Sequence, residues 1–344
     1  MAAPGRVLTQ RELNRAVLAR QLLLERSRMS IPRALERIAG LQAQYAPSAY
    51  VGLWSRLVGF DRDALTRALE RRAVIQATLM RVTIHIVSRR DFWPLAVAIR
   101  EPRRRWFLRT HRHLGGAEEQ VRAARRLRSA LAEGPQRANE LDERFGREGW
   151  SGMWLDIVRM PPSGTWERRR ADLIGLAEEW VGPCEVEPDE AMEVLVHRYL
   201  GGFGPASKTD IADWSGVQIG DLAPTLERMK LRRFRDDQGR ELLDLPRAPL
   251  PDPETPAPVR FLPTWDATLL VHARRAGVLP ERYRSRIFHV KVPHSFSTFL
   301  VDGAVAGTWR HKEGRIEVDP FHRISRTTRR ELEEEAGRLA AFHA

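Results

Sequence analysis

Two uncharged amides, Gln42 and Gln44, stand one residue apart after an apolar stretch and before Pro47. Residues i and i+2 do not share a helix face, so both can converge on one water only where a helix is ending. Amides in that position can hold and orient a water without ionising. The plainer use of such a pair is to cap a helix end and bond to backbone. A second set, Arg81-x-Thr83-x-His85, alternates along one side of an expected strand. It could offer a cation, a hydroxyl and an imidazole to phosphate, although the solvent face of a half-buried strand has the same pattern. His85 has no partner at metal-ligand spacing, and His111 and His113 stand among arginines, so no metal site is expected. The runs Arg103-Arg104-Arg105, Arg168-Arg169-Arg170 and Arg232-Arg233 adjoin Trp106, Trp166 and Phe234. They could neutralise phosphates, though a solvated helix face explains any single run. There is no Walker motif and no Gly-x-Ser-x-Gly elbow, and Gly201-Gly202-x-Gly204 lacks the Rossmann context. Kinase and serine-hydrolase chemistry are thereby excluded.

Those residues need elements to position them. Apolar spacing predicts a helix from Thr9 or Gln10 to Glu25, and a second opened by Ser30 with Pro32 in its first turn. A short helix follows Pro47, and Asp61 caps another. Val74–Val87 alternates as two strands broken near Met80–Arg81. This order, helices and then a hairpin, is that of a winged helix–turn–helix. It returns twice. After one long helix over Asp91–Arg109 come a helix ending at Gly134–Pro135, another at Ala138–Phe145, and strand-like runs at Trp154–Met160 and Leu173–Trp180. The third round has a helix from Asp189 to Leu200 stopped by Gly201-Gly202, then two short helices. Strands around Asp236-Asp237-Gln238-Gly239 complete it. The expected units are residues 1–115, 116–184 and 185–248. A stiff proline-rich linker, 249–258, leads to a β-rich segment and final helix over 259–344. The fold class expected is α+β.

Composition agrees with an anionic partner. The chain has 344 residues and a formal charge of +12, and only four of its 57 basic residues are lysine. Guanidinium gives a flat, two-pronged donor suited to phosphate and base edges. Nucleic acid is the first partner to consider, and an anionic membrane surface the second. A single cysteine, Cys184, excludes a disulfide framework and a cysteine zinc finger. No apolar run reaches the ~18 residues of a spanning helix, and no signal peptide is read. A reducing cytoplasm, at the nucleoid, is the expected location.

An ordered set of segments carries a resemblance. They are Leu41-Gln42-Ala43-Gln44, Met80 to His85, Arg159 to Trp166, Leu262 to Asp266, and Val301 to Arg310. Together they resemble the AlkZ/YcaQ-type family of bacterial DNA glycosylases, from about residue 9 to 321. The resemblance implies three winged helices around a concave basic channel for double-stranded DNA, acting as a monomer without metal or redox cofactor. It implies removal of alkylated purines, including unhooking of interstrand crosslinks in some members. The family's Gln-x-Gln form matches Gln42 and Gln44, which become the catalytic candidates. Arg81, Thr83, His85, Trp309 and Arg310 are the DNA-contact candidates, and Asp266 is expected to be structural, beside an arginine. A glutamine is no general base in the ordinary sense. It can place a water, and set a carbonyl dipole against a developing oxocarbenium. Such a site suffices only for a leaving group that is already cationic, such as N7-alkylguanine or N3-alkyladenine. A non-catalytic DNA-binding or regulatory winged-helix protein is the alternative.

Overall fold

The structure is a computed structural model that describes residues 6–146, 150, 152–270, 277–289 and 294–344. Strand β1 (Val7–Leu8) leads into α1 (Gln10–Arg20), whose Thr9 and Glu12 form a reciprocal cap. Then follow α2 (Ile31–Ile38), β2 (Leu41–Gln42), α3 (Ala46–Trp54), α4 (Arg62–Glu70), β3 (Val74–Thr78) and β4 (Ile84–Ser88). The long helix expected over 91–109 is two, α5 (Arg89–Ala98) and α6 (Arg100–Thr110). Pro102 is the reason: it has no N–H for the carbonyl four residues back, so the ladder breaks at Ile99.

Next come α7 (Ala117–Ala132), β5 (Gln136–Arg137), α8 (Ala138–Phe145), β6 (Ile157–Arg159) and β7 (Leu173–Leu176). The apolar run expected to continue to Trp180 turns into a short helix, α9 (Ala177–Val181). Helix α10 (Pro188–Phe203) runs through Gly201-Gly202 instead of stopping there. A Cβ on Gly202 would lie 3.1 Å from the Ile38 carbonyl carbon, so this glycine serves close packing on α2. Leu195, Val196, Tyr199, Leu200 and Phe203 of α10 are wholly buried. At ~1.5–3 kcal/mol for each large apolar side chain, this helix is the spine of the largest core.

The chain continues through α11 (Lys208–Ser215), α12 (Ile219–Arg228), β8 (Arg232–Asp236), β9 (Glu241–Asp244), β10 (Arg260–Leu262) and α13 (Ala267–Leu270). The last elements are α14 (Arg284–Ile287), β11 (Phe288–His289), β12 (His294–Ser295), β13 (Thr298–Val301), β14 (Ala304–Lys312), β15 (Arg315–Pro320) and α15 (Arg326–His343). The strand expected over Phe288–Val292 is described only to His289; the rest lies outside the described residues.

One strand arrangement recurs. A short strand before the middle helices pairs with the last strand of its round, which pairs in turn with the strand before it. The sets are β2-β4-β3, β5-β7-β6, and the bridge residue Ala206 with β9-β8. Hydrogen bonds cross the expected boundaries. Gln76 of β3 pairs with Arg159 of β6, merging two rounds into a six-stranded sheet, and β1 runs parallel to β8. A separate sheet, β10-β13-β14-β15, is backed by α15. Two buried ion pairs join distant segments: Arg20 with Asp244, and Arg56 with Asp266, all four side chains fully covered. The second bears out the structural reading of Asp266.

Candidate active site

Gln42 sits on an edge strand rather than a helix end, and Gln44 lies in the bend that leads from that strand into α3. After α2, Ala39 and Gly40 turn the chain through left-handed φ values of 63° and 79°. A Cβ on Gly40 would stand 2.9 Å from the Val87 side chain, so glycine lets β2 close onto β4. Gln42 then faces His85 in antiparallel register, and the Ala43 N–H donates to the Ile84 carbonyl at 2.7 Å.

Each amide is held by a group that can only donate. The Arg81 Nη2 donates to Gln42 Oε1 at 3.2 Å, and the Ile84 backbone N–H donates to Gln44 Oε1 at 3.1 Å. The orientation of both amides follows, oxygen toward the donor and nitrogen away from it. Each oxygen keeps a second lone pair. Gln42 is buried and Gln44 exposed.

Arg81, Thr83 and His85 do not share a strand face. Met80–Val82 is a single tight turn in which Arg81 and Val82 both take left-handed φ, 52° and 60°, and β4 begins only at Ile84. The turn aims Arg81 inward. Besides Gln42, its guanidinium donates to the Trp214 carbonyl near the end of α11. Among the described residues it has no ion-pair partner. Burial pulls its pKa down to about 10, opposed by the nearby Tyr199 and Asp213. His85 is buried, and its Nδ1 donates to the Thr83 carbonyl at 2.9 Å. Burial first, and Arg81 second, lower its pKa to about 3, so it is neutral near pH 7. Thr83 is half-buried and donates to the Met80 carbonyl.

Trp309 and Arg310 lie on β14, in the other sheet. Trp309 is buried and its indole donates to the Leu262 carbonyl at 2.9 Å, while Arg310 is exposed and paired with Glu317. Both line a cavity, and neither amide does. Tyr45, next in the chain after Gln44, lines it with Trp166, Arg169, Trp309, Arg310 and His343. A second cavity, on the Arg81 side, is lined by Arg105, Trp106, Arg109 and Gln218. Tyr45 and His343 carried no local signal in the sequence, since nothing in the last helix indicates its contact with residues near 45. Arg169 did lie in a flagged run.

The other flagged arginines are largely committed. Arg103 pairs with Asp156, Arg104 with Glu101, Arg105 with Asp221, Arg232 with Asp244 and Arg233 with Glu241. Among the described residues no cluster of three or more His, Cys, Asp or Glu could hold a metal, and no helix is long and apolar enough to cross a membrane.

Comparison with known proteins gives consistent matches. Residues 35–342 match the family described as DNA glycosylase AlkZ-like. The interstrand DNA cross-link repair glycosylase of Streptomyces sahachiroi is 23% identical, the alignment covering 94% of this chain and 93% of that protein. The solved structure of the Streptomyces sahachiroi DNA glycosylase AlkZ superposes with a TM-score of 0.81 at 19% identity, covering 98% of each chain. This last likeness establishes the fold.

Proposed function

Since the chain belongs to the AlkZ-like DNA glycosylase family and is a DNA N-glycosylase, we propose that it hydrolyses the glycosidic bond of cationic alkylpurines, N7-alkylguanine and N3-alkyladenine, in duplex DNA and unhooks interstrand crosslinks. The crosslink part of this reading draws on the curated relative's name.

One observation carries the reading. Gln42 and Gln44 are each fixed by a donor, and among the described residues neither amide is hydrogen-bonded to a carboxylate. Gln42 and Gln44 position the attacking water through their remaining lone pairs and present carbonyl dipoles to the oxocarbenium. The lesion supplies the rest: its ring is already cationic, so its glycosidic bond is weak before binding. Neutral lesions such as uracil are poor substrates in this scheme.

Thr83 and Arg310 are the DNA-facing candidates. Arg81, His85 and Trp309, drawn inward, act from behind: Arg81 orients Gln42, His85 backs the strand, and Trp309 walls the cavity beside Tyr45. The three winged-helix units, 1–115, 116–184 and 185–248, grip the duplex as a monomer at the nucleoid.

The test is single-turnover excision from duplex DNA carrying N7-methylguanine, or a nitrogen-mustard crosslink. Wild type releases the base. Gln42→Ala and Gln44→Ala each slow it by about 10²-fold or more, the scale of losing one preorganised polar group. Tight DNA binding without excision would sink the substrate assignment, and full rate in the double variant would sink the site.

A further inference from the structure

The cavity beside Tyr45 has a composition that the amide chemistry does not use. Its volume is about 350 Å³, within the ~300–1,000 Å³ range of small-molecule sites. Trp166 and Trp309 wall it, and Tyr45 stands at the mouth, 46% exposed.

Two of these three rings, Trp166 and Tyr45, already carry a cation. The Arg62 guanidinium lies 5.1 Å from the centre of the Trp166 ring, and Arg169 lies 6.0 Å from that of Tyr45 while donating to its hydroxyl. Faces so covered do not attract a second cation, and the two guanidiniums repel one. His343 stacks on His311 with ring centres 4.4 Å apart, and its Nε2 is buried with no hydrogen-bond partner. Burial, with His311, Arg62 and Arg169, holds its pKa at about 4, so it lines the cavity as a neutral imidazole. A flat, neutral heterocycle with ring nitrogens satisfies these features, and a cationic one does not.

We propose that this cavity is a product-side site, which receives the neutral purine once the glycosidic bond has broken and rejects the cationic base before it. The inference rests on the alkylpurine reading above. In that reaction the C1′–N bond breaks and its electron pair passes to the purine, cancelling the ring's positive charge. The water oxygen bonds to C1′, and one water proton leaves to solvent. The base therefore changes from cation to neutral in the step itself, and Arg62 and Arg169 oppose only the earlier state.

The experiment titrates the full chain with 7-methylguanine, a neutral free base. A parallel titration uses 7-methylguanosine, which has the same ring, an intact glycosidic bond and a positive charge. Both are run at mildly acidic pH, where N1 of the nucleoside keeps its proton and the ring its net positive charge, and followed by calorimetry and tryptophan fluorescence. The free base is expected to bind at least about tenfold more tightly than the nucleoside, a difference of about 1.4 kcal/mol. Tyr45→Ala and His343→Ala each weaken the base, and Gln42→Ala leaves it unchanged. Thermal melts of the two cavity variants verify that they fold, and Tyr45, half in solvent, is the variant least exposed to that objection. Equal or tighter binding of the nucleoside overturns the proposal. So does absence of saturable base binding, or base binding untouched by both cavity variants. An active enzyme that does not bind the base overturns this inference alone. An enzyme inactive on N7-methylguanine DNA overturns the activity, and with it the product role.

Discussion

At Gln42 the amide oxygen already has a partner, and that partner is an arginine with no ion pair among the described residues. A half-buried guanidinium without a direct ion pair is costly, and the turn that presents it holds a β-branched residue, Val82, at positive φ. The arrangement has a use if Arg81 fixes Gln42. A double-mutant cycle checks this. Arg81→Ala should slow excision about tenfold in the native background, or ~1.4 kcal/mol of barrier, and add little in Gln42→Ala, since residues in one network are not additive. Equal losses in both backgrounds would mean that Arg81 acts on DNA directly.

Among the elements, the pairing of β2 with β4 decides the site, because it sets Gln42 against His85 and Ala43 against Ile84. The price is a buried imidazole, which makes the pairing pH-sensitive. The folded His85 has a pKa near 3, against about 6.5 for an unperturbed histidine. Between those values the unfolded chain holds the proton and the folded chain does not. The contribution of neutral His85 is thus complete above pH ~6.5 and is lost as pH falls toward 3, by up to about 1.4 kcal/mol per pH unit. Urea midpoints should fall from pH 7 to pH 5, and fall less in His85→Gln. An unchanged slope in that variant would assign the sensitivity elsewhere. The break between α5 and α6, and the glycines carried inside α10, belong to this scale too. Proline and glycine mark where a chain can bend, and packing decides whether it does.

Across the whole molecule, much of the arginine is engaged internally. Arg20 and Arg56 sit in buried pairs that tie α1 to β9 and the turn after α3 to the segment before α13, and most of the flagged runs face carboxylates. The +12 surplus remains as a diffuse field for DNA. If about six to ten phosphates are neutralised, affinity should drop about 10³–10⁵-fold between about 50 and 200 mM salt. A shallow dependence measured by fluorescence anisotropy would remove backbone contact as the main grip.

The linear chain by itself carried the three rounds of helices and hairpin, a helix opening at Thr9 or Gln10, the cap at Asp61, and the two amides, because periodicity, capping and adjacency are local properties. Asp266 was legible as structural, although its partner was not. The folded molecule alone decided that Gln42 lies on an edge strand and Gln44 in the bend after it, that Arg81 turns inward, that His85 and Trp309 are covered, and that Tyr45 and His343, from opposite ends of the chain, line one cavity. Each of these depends on contacts between residues far apart in sequence, and a burial or a pKa exists only once those contacts have formed.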